Sequence, residues 1–324
     1  MKRLISILGF LLLVDTLFIG ITNLGAQPYP AHPIQLVIPG APGDAVDIAA
    51  RSVADELAKI LNIPIIPQNK PGGGSILGTE FAVKSKKDGY TLLYALSSGL
   101  IYNPAMNPDS VPYDPIHDLE PLGMHVNFPT VISVGADSPW KHFSEIVEYA
   151  RKNPGKFRCG TLGVGSINHF QLEIIKSLTN TDITMIPFKG ASPAITALLG
   201  GHIESAFVAV VLSVPHYQSG KLRGILLDFK VAALPDIPTL RELGYPQDLP
   251  VSFFGFFAPA GIPEEAKKVL VPAIEKAIKT PELMTKLQNL WYITNYKSPT
   301  ELKQMLSENY ESAKGIAKRM GVNK

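Results

Sequence analysis

The stretch from Ile34 to Leu61 constrains the fold of this chain more than any other part of the sequence. It opens with a run of aliphatic residues (Ile34–Ile38), passes through a Gly- and Pro-rich loop, and continues with apolar residues at three- and four-residue spacing. This pattern predicts a short buried strand, a tight turn and an amphipathic helix. Such a junction points the free N–H groups of the first helical turn into the crevice above the strand, where open α/β sheets bind ligands and where an anion is favoured. A turn that binds no ligand is the alternative.

The stretch from Arg158 to Leu178 repeats the plan. A short strand leads into a loop that contains Gly163 and Gly165, and Ser166 stands at the predicted N-cap of a second amphipathic helix. Two such units, far apart in sequence, predict two α/β lobes that each offer a helix N-terminus to a shared cleft.

Length and composition agree with two globular domains and exclude several classes of protein. The chain has 324 residues, of which 46% are hydrophobic and 18% charged, and this balance is typical of a folded protein. A formal net charge of +2 gives no support to a nucleic-acid partner. Cys159 is the single cysteine, so the sequence allows no intramolecular disulfide and no thiolate metal site. We expect Cys159 to be a buried residue of a strand.

The first 26 residues have the pattern of an export signal. Lys2 and Arg3 precede an apolar run, and Leu24-Gly25-Ala26 offers a cleavage site with small residues. Asp15 lies inside the apolar run and disfavours a stable membrane span. We therefore expect a periplasmic mature protein that begins near Gln27; an uncleaved membrane anchor is the alternative.

A Gly cluster between Gly72 and Gly78 must be weighed as a nucleotide-binding motif. It has the spacing of a P-loop, but Thr79 stands where the phosphate-binding Lys is required. It also imitates a dinucleotide fingerprint with a longer gap, without a clear acidic partner for the ribose. A tight turn that leads into a helix is the simpler interpretation.

The alternation of strands and helices along the chain predicts mostly parallel sheets. Two long apolar strands, Leu122–Gly135 and Val251–Pro259, are predicted to cross between the lobes, with hinges near Asn127–Pro129 and Phe253–Phe256. The first lobe would then comprise residues 27–126 and 254–324, and the second lobe residues 127–253. Ser192-Pro193 predicts the start of a helix that stops at Gly200-Gly201, and a capping box from Ser298 to Glu301 predicts the start of the last helix.

The sequence contains no pattern that demands catalysis or a metal. The seven histidines are scattered and form no HExxH motif, and no GxSxG nucleophile motif is present. His169 falls in the first turn of the second helix, where it would be neutral and would either donate a hydrogen bond to a ligand or pack against the neighbouring loop. The spacing of Asp44 and Asp47 predicts that at least one of them caps the first helix.

Nine segments, taken together and in this order, resemble the Bug family, the solute receptors of tripartite tricarboxylate transporters. They are Tyr29-Pro30 with Pro33-Ile34, IPGAPGDAVDIAAR (38–51), QNKPGGGSILGT (68–79), KDGYTLL (87–93), VPYDPIHDLEPLG (111–123), NPGKFRCGTLGVGSINH (153–169), PFKGASPAITALLGGHIE (187–204), LPDIPTLRELGYP (234–246) and GFFAPAGIPEEA (255–266). The resemblance implies a type II periplasmic binding protein, in which two α/β lobes are joined by two crossing strands around a ligand cleft.

The resemblance also implies a function. The chain would be a monomeric receptor without cofactor, metal or catalytic residue, which closes on a small carboxylate-bearing solute and delivers it to a membrane permease. A periplasmic sensor for a signalling partner and a secreted α/β enzyme are the alternatives. Carried over from the family, with two serines that follow a predicted strand, the candidate ligand-binding residues are Ala41, Gly43, Asp44, Ala45, Val46, Asp47, Ser97, Ser98, Gly163, Gly165, Ser166, His169, Gly190 and Ala191.

One departure from the family's pattern bears on the ligand. Members of the family usually have Pro-Gly-Gly and then Thr-Asp or Ser-Asp in the first loop, whereas this chain has Asp44 after Pro42-Gly43 and Val46 before Asp47. Asp44 adds a carboxylate where a ligand carboxylate would bind, and Val46 removes a hydroxyl donor. We therefore expect a small organic acid with a single carboxylate, an amino acid or an amide as ligand, rather than citrate.

Overall fold

A computed structural model describes residues 28–321, and the predicted export signal (Met1–Ala26) lies outside the described residues. The strands are β1 (Ile34–Ile38), β2 (Ile65–Asn69), β3 (Thr91–Leu96), β4 (Leu119–Phe128), β5 (Thr130–Gly135), β6 (Arg158–Thr161), β7 (Thr184–Pro187), β8 (Ser205–Ala209), β9 (Leu222–Leu227), β10 (Ser252–Pro259) and β11 (Ile293–Lys297). The α-helices are α1 (Ala45–Leu61), α2 (Ile76–Val83), α3 (Asn103–Met106), α4 (Phe143–Lys152), α5 (Ile167–Thr179), α6 (Ala191–Leu199), α7 (Val210–Gln218), α8 (Glu264–Ile278), α9 (Pro281–Asn289) and α10 (Pro299–Met320).

The strands form two sheets, and each sheet is the centre of one α/β lobe. The first lobe has six strands in the order β11-β4-β10-β3-β1-β2, and the second has five in the order β7-β6-β8-β5-β9. Helices cover the sheets, so that the fold is the predicted two-lobed α/β architecture.

The expectation of mostly parallel sheets is wrong. Within the described residues, four strand pairs are parallel and five are antiparallel. The parallel pairs join strands that are linked by helical crossovers, as β1 is to β2 and β3. The antiparallel pairs all involve β10, β4 or β5. These strands stand next to the passages of the chain from one sheet to the other, and the local βα pattern contains no information about their direction.

The chain passes between the lobes twice. β4 of the first sheet and β5 of the second are separated by Pro129 alone, which has no N–H to continue a ladder. The return runs through residues 228–251, between β9 and β10. All eight residues of β10 are buried and pair within the first sheet, so Phe253 and Phe256 lie in a central strand rather than in the connection. The exact lobe boundaries stay a prediction.

Local sequence accounts for the helices that face the cleft. In α1 the residues Val53, Ala54 and Leu57 are buried, as their spacing predicts. The predicted N-cap of α5 is confirmed, because the Ser166 side chain accepts a hydrogen bond from the N–H of His169. α6 begins at Ala191 with Gly190 as N-cap, two residues before the start that Ser192-Pro193 predicts.

Two other predictions from the sequence are also confirmed. Ser298 and Glu301 form the expected capping box at the start of α10, since each side chain accepts from the backbone N–H of the other residue. Cys159 is buried in β6, and burial raises the pKa of its thiol to about 12. A thiol in this state is a small apolar core residue and not a nucleophile.

Candidate functional site

A cavity of about 390 Å³ lies between the two lobes, at the carboxyl ends of parallel strands from both sheets. Its volume is within the usual range for small-molecule sites. The residues that line it come from four loops, which follow β1, β2, β6 and β7, and from a floor of strand and helix residues: Pro39, Gly40, Ala41, Asp44, Ala45, Val46, Pro71, Gly72, Gly73, Gly74, Ser75, Leu96, Ser98, Phe128, Leu162, Gly163, Val164, Ser166, Ile167, Pro187, Phe188, Lys189, Gly190, Ala191, Ala209, Leu212 and Phe254.

The N-terminus of α1 opens into this cavity. Asp44 occupies the N-cap position in an extended conformation, yet no side chain caps the helix. The first two residues of α1, Ala45 and Val46, line the cavity. Their backbone N–H groups, at the positive end of the helix dipole, form a donor pair that is suited to an anion.

The Asp44 side chain reaches across the cleft to the second lobe. Its Oδ1 atom accepts a hydrogen bond of 3.1 Å from the N–H of Ala191, the first residue of α6, and its Oδ2 atom accepts one of 3.3 Å from the N–H of Ala41. Burial raises the pKa of the carboxyl group, while these two backbone donors act in the opposite direction. Asp44 therefore bridges the lobes.

Asp47 has a structural role in the first loop. Its Oδ2 accepts from the N–H of Gly43 at 2.9 Å, and its Oδ1 accepts from Arg51 Nε at 2.8 Å and from Asn69 Nδ2 at 2.9 Å. The side chain is buried and does not line the cavity. The prediction that Asp44 or Asp47 caps α1 is wrong, because the side chains bind loop amides and α6 instead of the first turn of α1.

The second helix N-terminus has two of its backbone N–H groups bonded to the protein's own hydroxyl groups. Ser166 Oγ accepts from His169 N at 3.2 Å, and the N–H of Ile167 donates to Ser98 Oγ of the first lobe at 3.0 Å. Two amides of the first turn of α5 are thus satisfied. The two predicted helix ends both face the cleft, but α1 is the one that lacks a side-chain cap.

His169 is held against its own loop. The N–H of Gly165 donates to its Nδ1 atom at 3.3 Å, so this nitrogen is unprotonated, and burial lowers the pKa of the ring. His169 does not line the cavity. Of the two interpretations from the sequence, packing against the neighbouring loop agrees with this geometry.

The candidate ligand-binding residues divide into two groups. Nine of them line the cavity: Ala41, Asp44, Ala45, Val46, Ser98, Gly163, Ser166, Gly190 and Ala191. The other five, which do not line it, are Gly43, Asp47, Ser97, Gly165 and His169. Gly43 and Gly165 have φ values of +79° and +80°, which suit glycine at the tight turns that shape their loops.

Sequence reasoning missed the apolar floor and one of the four loops, Pro71–Ser75, which we call the third loop. Pro71–Ser75, which the sequence predicts to be an ordinary turn, forms part of the cavity wall. The rings of Phe128 and Phe254 stack with centroids 4.2 Å apart beneath it, and Leu212 and Phe188 add further apolar surface. The available signal was the position of the Gly cluster directly after β2, at the same sheet edge as the loop after β1.

A metal centre finds no support in the part of the chain that the structure describes. No group of three or more His, Cys, Asp or Glu side chains within residues 28–321 has the arrangement of an ion site. His125, the most strongly perturbed of the described histidines, is buried in β4 and bonds through Nδ1 to the Tyr94 hydroxyl at 2.7 Å. Burial lowers its pKa to about 3, so the ring is a neutral core residue.

Comparison with known proteins gives one consistent result. Residues 49–322 match the family described as Tripartite tricarboxylate transporter family receptor. Protein BugT of Bordetella pertussis is 28% identical over 323 residues, which cover 99% of this chain and 98% of BugT. The structure of the periplasmic binding protein BugD matches this one with a TM-score of 0.85 and a sequence identity of 27%. The match covers 91% of this chain and 100% of BugD. MatC from Rhodopseudomonas palustris, solved with bound malate, is 26% identical with a TM-score of 0.83, and covers 89% of this chain and 100% of MatC.

Proposed function

This chain belongs to the tripartite tricarboxylate transporter receptor family, and from that premise we propose that it captures a small carboxylate-bearing solute in the periplasm and delivers it to a tripartite tricarboxylate-type permease. The ligand would bind between the lobes, at the N-terminus of α1. The bound malate of MatC supports a carboxylate as the common feature of the ligand.

The observation that carries the proposal is the uncapped N-terminus of α1 inside the cavity between the lobes. Ala45 and Val46 supply two adjacent N–H groups with no side-chain cap. Apolar walls surround them, and a low local dielectric strengthens hydrogen bonds to an anion. A single carboxylate that accepts both N–H groups would be held at the carboxyl end of β1.

Capture would proceed by closure of the two lobes around the hinges near Asn127–Pro129 and in the return connection. Two hydrogen bonds already join the lobes across the cavity, from Ile167 N to Ser98 Oγ and from Ala191 N to Asp44 Oδ1. A ligand that touches both lobes would add to these contacts only in the closed state and would therefore shift the population towards it. We propose lobe boundaries within two residues of those that the sequence predicts, because β4 and β10 of the first sheet extend to Phe128 and Ser252, with a monomer as the working form.

The chemistry of the cavity supports a receptor rather than an enzyme. The serine hydroxyls of Ser98 and Ser166 are both engaged with backbone groups of the protein. None of the described residues that line the cavity is a histidine that could act as a base beside them. A solute bound here would find groups that hold it and no activated nucleophile.

Export by the predicted signal would bring the receptor to the periplasm, where its family acts. Across residues 28–321 no helix has both the length and the apolar character that a bilayer crossing requires. The permease would recognise the closed form, because lobe closure is what distinguishes the loaded receptor from the empty one.

Native mass spectrometry and calorimetry together test the proposal. Protein purified from the periplasm of its own host should carry a small acid whose mass is lost on denaturation. Isothermal titration of the emptied protein with citrate, malate, adipate, a series of monocarboxylates and a series of amino acids should show one-to-one binding of at least one of them. If no acid co-purifies and none of the panel binds or raises the melting temperature, the proposed function is wrong.

A further inference from the structure

The Asp44 carboxylate lies in the cavity without a countercharge. Among the described residues, the charged side chain that interacts electrostatically with the Asp44 carboxylate is Asp47, which is itself a carboxylate. Asp47 forms an ion pair with Arg51, so its own charge is compensated. The other charged residue of the lining, Lys189, is exposed to solvent. A partly buried carboxylate with no cation beside it is unfavourable, and a ligand that brings a positive charge would remove that penalty.

Asp44 also occupies the place that a second ligand carboxylate would need. The N–H of Ala191 starts α6 on the second lobe and donates to Asp44 Oδ1 at 3.1 Å. The protein thus places its own anion on the helix N-terminus opposite α1. A dicarboxylate that spans the two lobes would have to displace this side chain and would add two negative charges beside it.

We propose that Asp44 makes the site selective for a ligand that carries one carboxylate next to a cationic nitrogen on an apolar body, namely an α-amino acid with an apolar side chain. The inference rests on the proposed function and assigns its ligand class. The ligand carboxylate binds the N–H groups of Ala45 and Val46, and the ammonium group binds Asp44. Two of the four lone-pair positions of the Asp44 carboxylate are used by Ala41 and Ala191, and the others remain for the ligand.

The lining fits an apolar side chain. Phe128 and Phe254 stack to form an aromatic floor, and the Leu96, Leu162 and Leu212 side chains contribute to the walls of a cavity of about 390 Å³. An aliphatic or aromatic group that fills this space is stabilised in proportion to the apolar surface that it removes from water. A charged distal group, such as the second carboxylate of adipate, would be desolvated against these apolar side chains.

A metal ion is a poorer partner for Asp44 than an ammonium group. Within residues 28–321 no cluster of three ligating side chains includes this carboxylate. Hard divalent cations need several oxygen ligands in a defined geometry, whereas an ammonium group needs only one or two acceptors.

Isothermal titration with matched ligand pairs tests the inference. The pairs are L-leucine with 4-methylpentanoate and L-phenylalanine with 3-phenylpropanoate, which differ only in the ammonium group, and adipate serves as the dicarboxylate. For the native protein we expect at least one amino acid to bind roughly 10- to 100-fold more tightly than its partner acid, the range of one charge-assisted hydrogen bond. In Asp44→Asn this ratio should fall towards one and the affinity for adipate should rise.

Asp137→Asn is the matched control, because Asp137 is an exposed residue that does not line the cavity. It removes the same charge and should leave the ratio unchanged. The comparison of ligand pairs on the native protein needs no variant, so it decides the question even if Asp44→Asn fails to fold. If the simple acids or adipate bind as tightly as the amino acids, or if Asp44→Asn keeps the full preference, the inference is wrong and the proposed function stands. If none of these compounds nor any acid of the wider panel binds, the proposed function fails as well.

Discussion

Gly74 of the first lobe lies directly against Val164 of the second. A Cβ atom placed on Gly74 would be 2.7 Å from the carbonyl oxygen of Val164 and also 2.7 Å from Nδ2 of Asn103 in its own lobe, closer than real Cβ atoms approach other atoms. Gly74 has φ +59° and belongs to the short 3₁₀ helix Gly73–Ser75. The third loop is therefore a contact between the lobes as well as a wall of the cavity, and the approach of the two backbones requires glycine at this position.

We predict that Gly74→Ala weakens ligand binding by preventing full closure. The added methyl group must displace the Asn103 side chain of its own lobe and the Val164 backbone of the other lobe, and such overpacking costs about 1–3 kcal/mol. Titration with the tightest-binding acid should show a loss of roughly 5- to 100-fold in affinity, and small-angle scattering should give a larger radius of gyration in the presence of ligand.

Gly201→Ala separates this effect from backbone strain. Gly201 has a similar φ of +69°, but a Cβ atom there meets nothing within 4 Å. Both variants lose about 1–2 kcal/mol of stability because alanine disfavours the left-handed region, and only Gly74→Ala should lose affinity. Equal affinities in the two variants would show that the contact with Val164 has no part in closure.

The difference between Gly74 and Ser166 illustrates how much of this molecule can be predicted from sequence. The N-cap role of Ser166 depends on His169, three residues away, and local pattern therefore predicts it correctly. The contact of Gly74 depends on Val164, ninety positions away in the chain, and a run of glycines is equally typical of a simple turn. The two βα units and the family were thus predictable, whereas the third loop was not.

The same reason explains the errors at Asp44 and in the strand directions. An aspartate is favoured at an N-cap position because its side chain can accept from the first turn of its own helix, but here the carboxylate of Asp44 accepts from the N–H of Ala191 on the other lobe. β4 and β10 pair antiparallel across a separation of more than a hundred residues, which no local periodicity encodes. The apolar floor made by Phe128 and Phe254 escapes prediction because both residues also have the pattern of ordinary core residues.

Ser98→Ala should weaken closure without damaging either lobe. Ser98 Oγ is the acceptor for the N–H of Ile167 on the opposite lobe at 3.0 Å. Loss of the Ser98 hydroxyl leaves the buried N–H of Ile167 without an acceptor only in the closed form, which costs about 1–3 kcal/mol. Calorimetry should show a lower affinity with a nearly unchanged melting temperature of the ligand-free protein. Ser85→Ala removes an exposed hydroxyl bonded to Phe81 O within one lobe and should have no effect on affinity; a matching loss in both variants would contradict the role of Ser98.

Asp47→Ala should destabilise the first loop. The Asp47 carboxylate joins Gly43, Arg51 and Asn69 through three hydrogen bonds and is 4% exposed. Removal of one member of such a buried charged network typically costs 3–5 kcal/mol, which we reduce to about 2–4 kcal/mol because Arg51 is half exposed. Urea unfolding should detect the loss of stability, and ligand affinity should fall with it because Ala45 and Val46 are no longer held in place.

Asp55→Ala removes an exposed carboxylate from the same helix and should change the unfolding free energy by less than about 0.5 kcal/mol. Similar losses in the two variants would exclude a special role for Asp47.

A buried carboxylate at the start of the return connection gives the clearest expected pH dependence. Asp228 is fully buried, and its Oδ1 accepts from the N–H groups of Thr130 and Phe229 at 2.9 and 3.0 Å. Its Oδ2 accepts a longer bond of 3.3 Å from Gln171 Nε2, which also donates to Pro250 O at 2.7 Å. Burial outweighs these donors and raises the pKa of Asp228 to about 7.

This raised pKa predicts that Asp228 stabilises the fold least at neutral pH. The folded protein retains the proton up to about pH 7, whereas the unfolded chain loses it near pH 4. The contribution of Asp228 to the free energy of unfolding is therefore complete below about pH 4 and is lost as the pH rises through 7, with a slope of at most about 1.4 kcal/mol per pH unit.

Asp228→Asn keeps an oxygen for Thr130 and Phe229 but cannot titrate. Urea unfolding at intervals from pH 4.5 to 7.5 should show the native protein losing stability relative to Asp228→Asn as the pH rises, while Asp137→Asn follows the native curve. Parallel curves for the native protein and Asp228→Asn would mean that Asp228 is ionised throughout this range in the folded state.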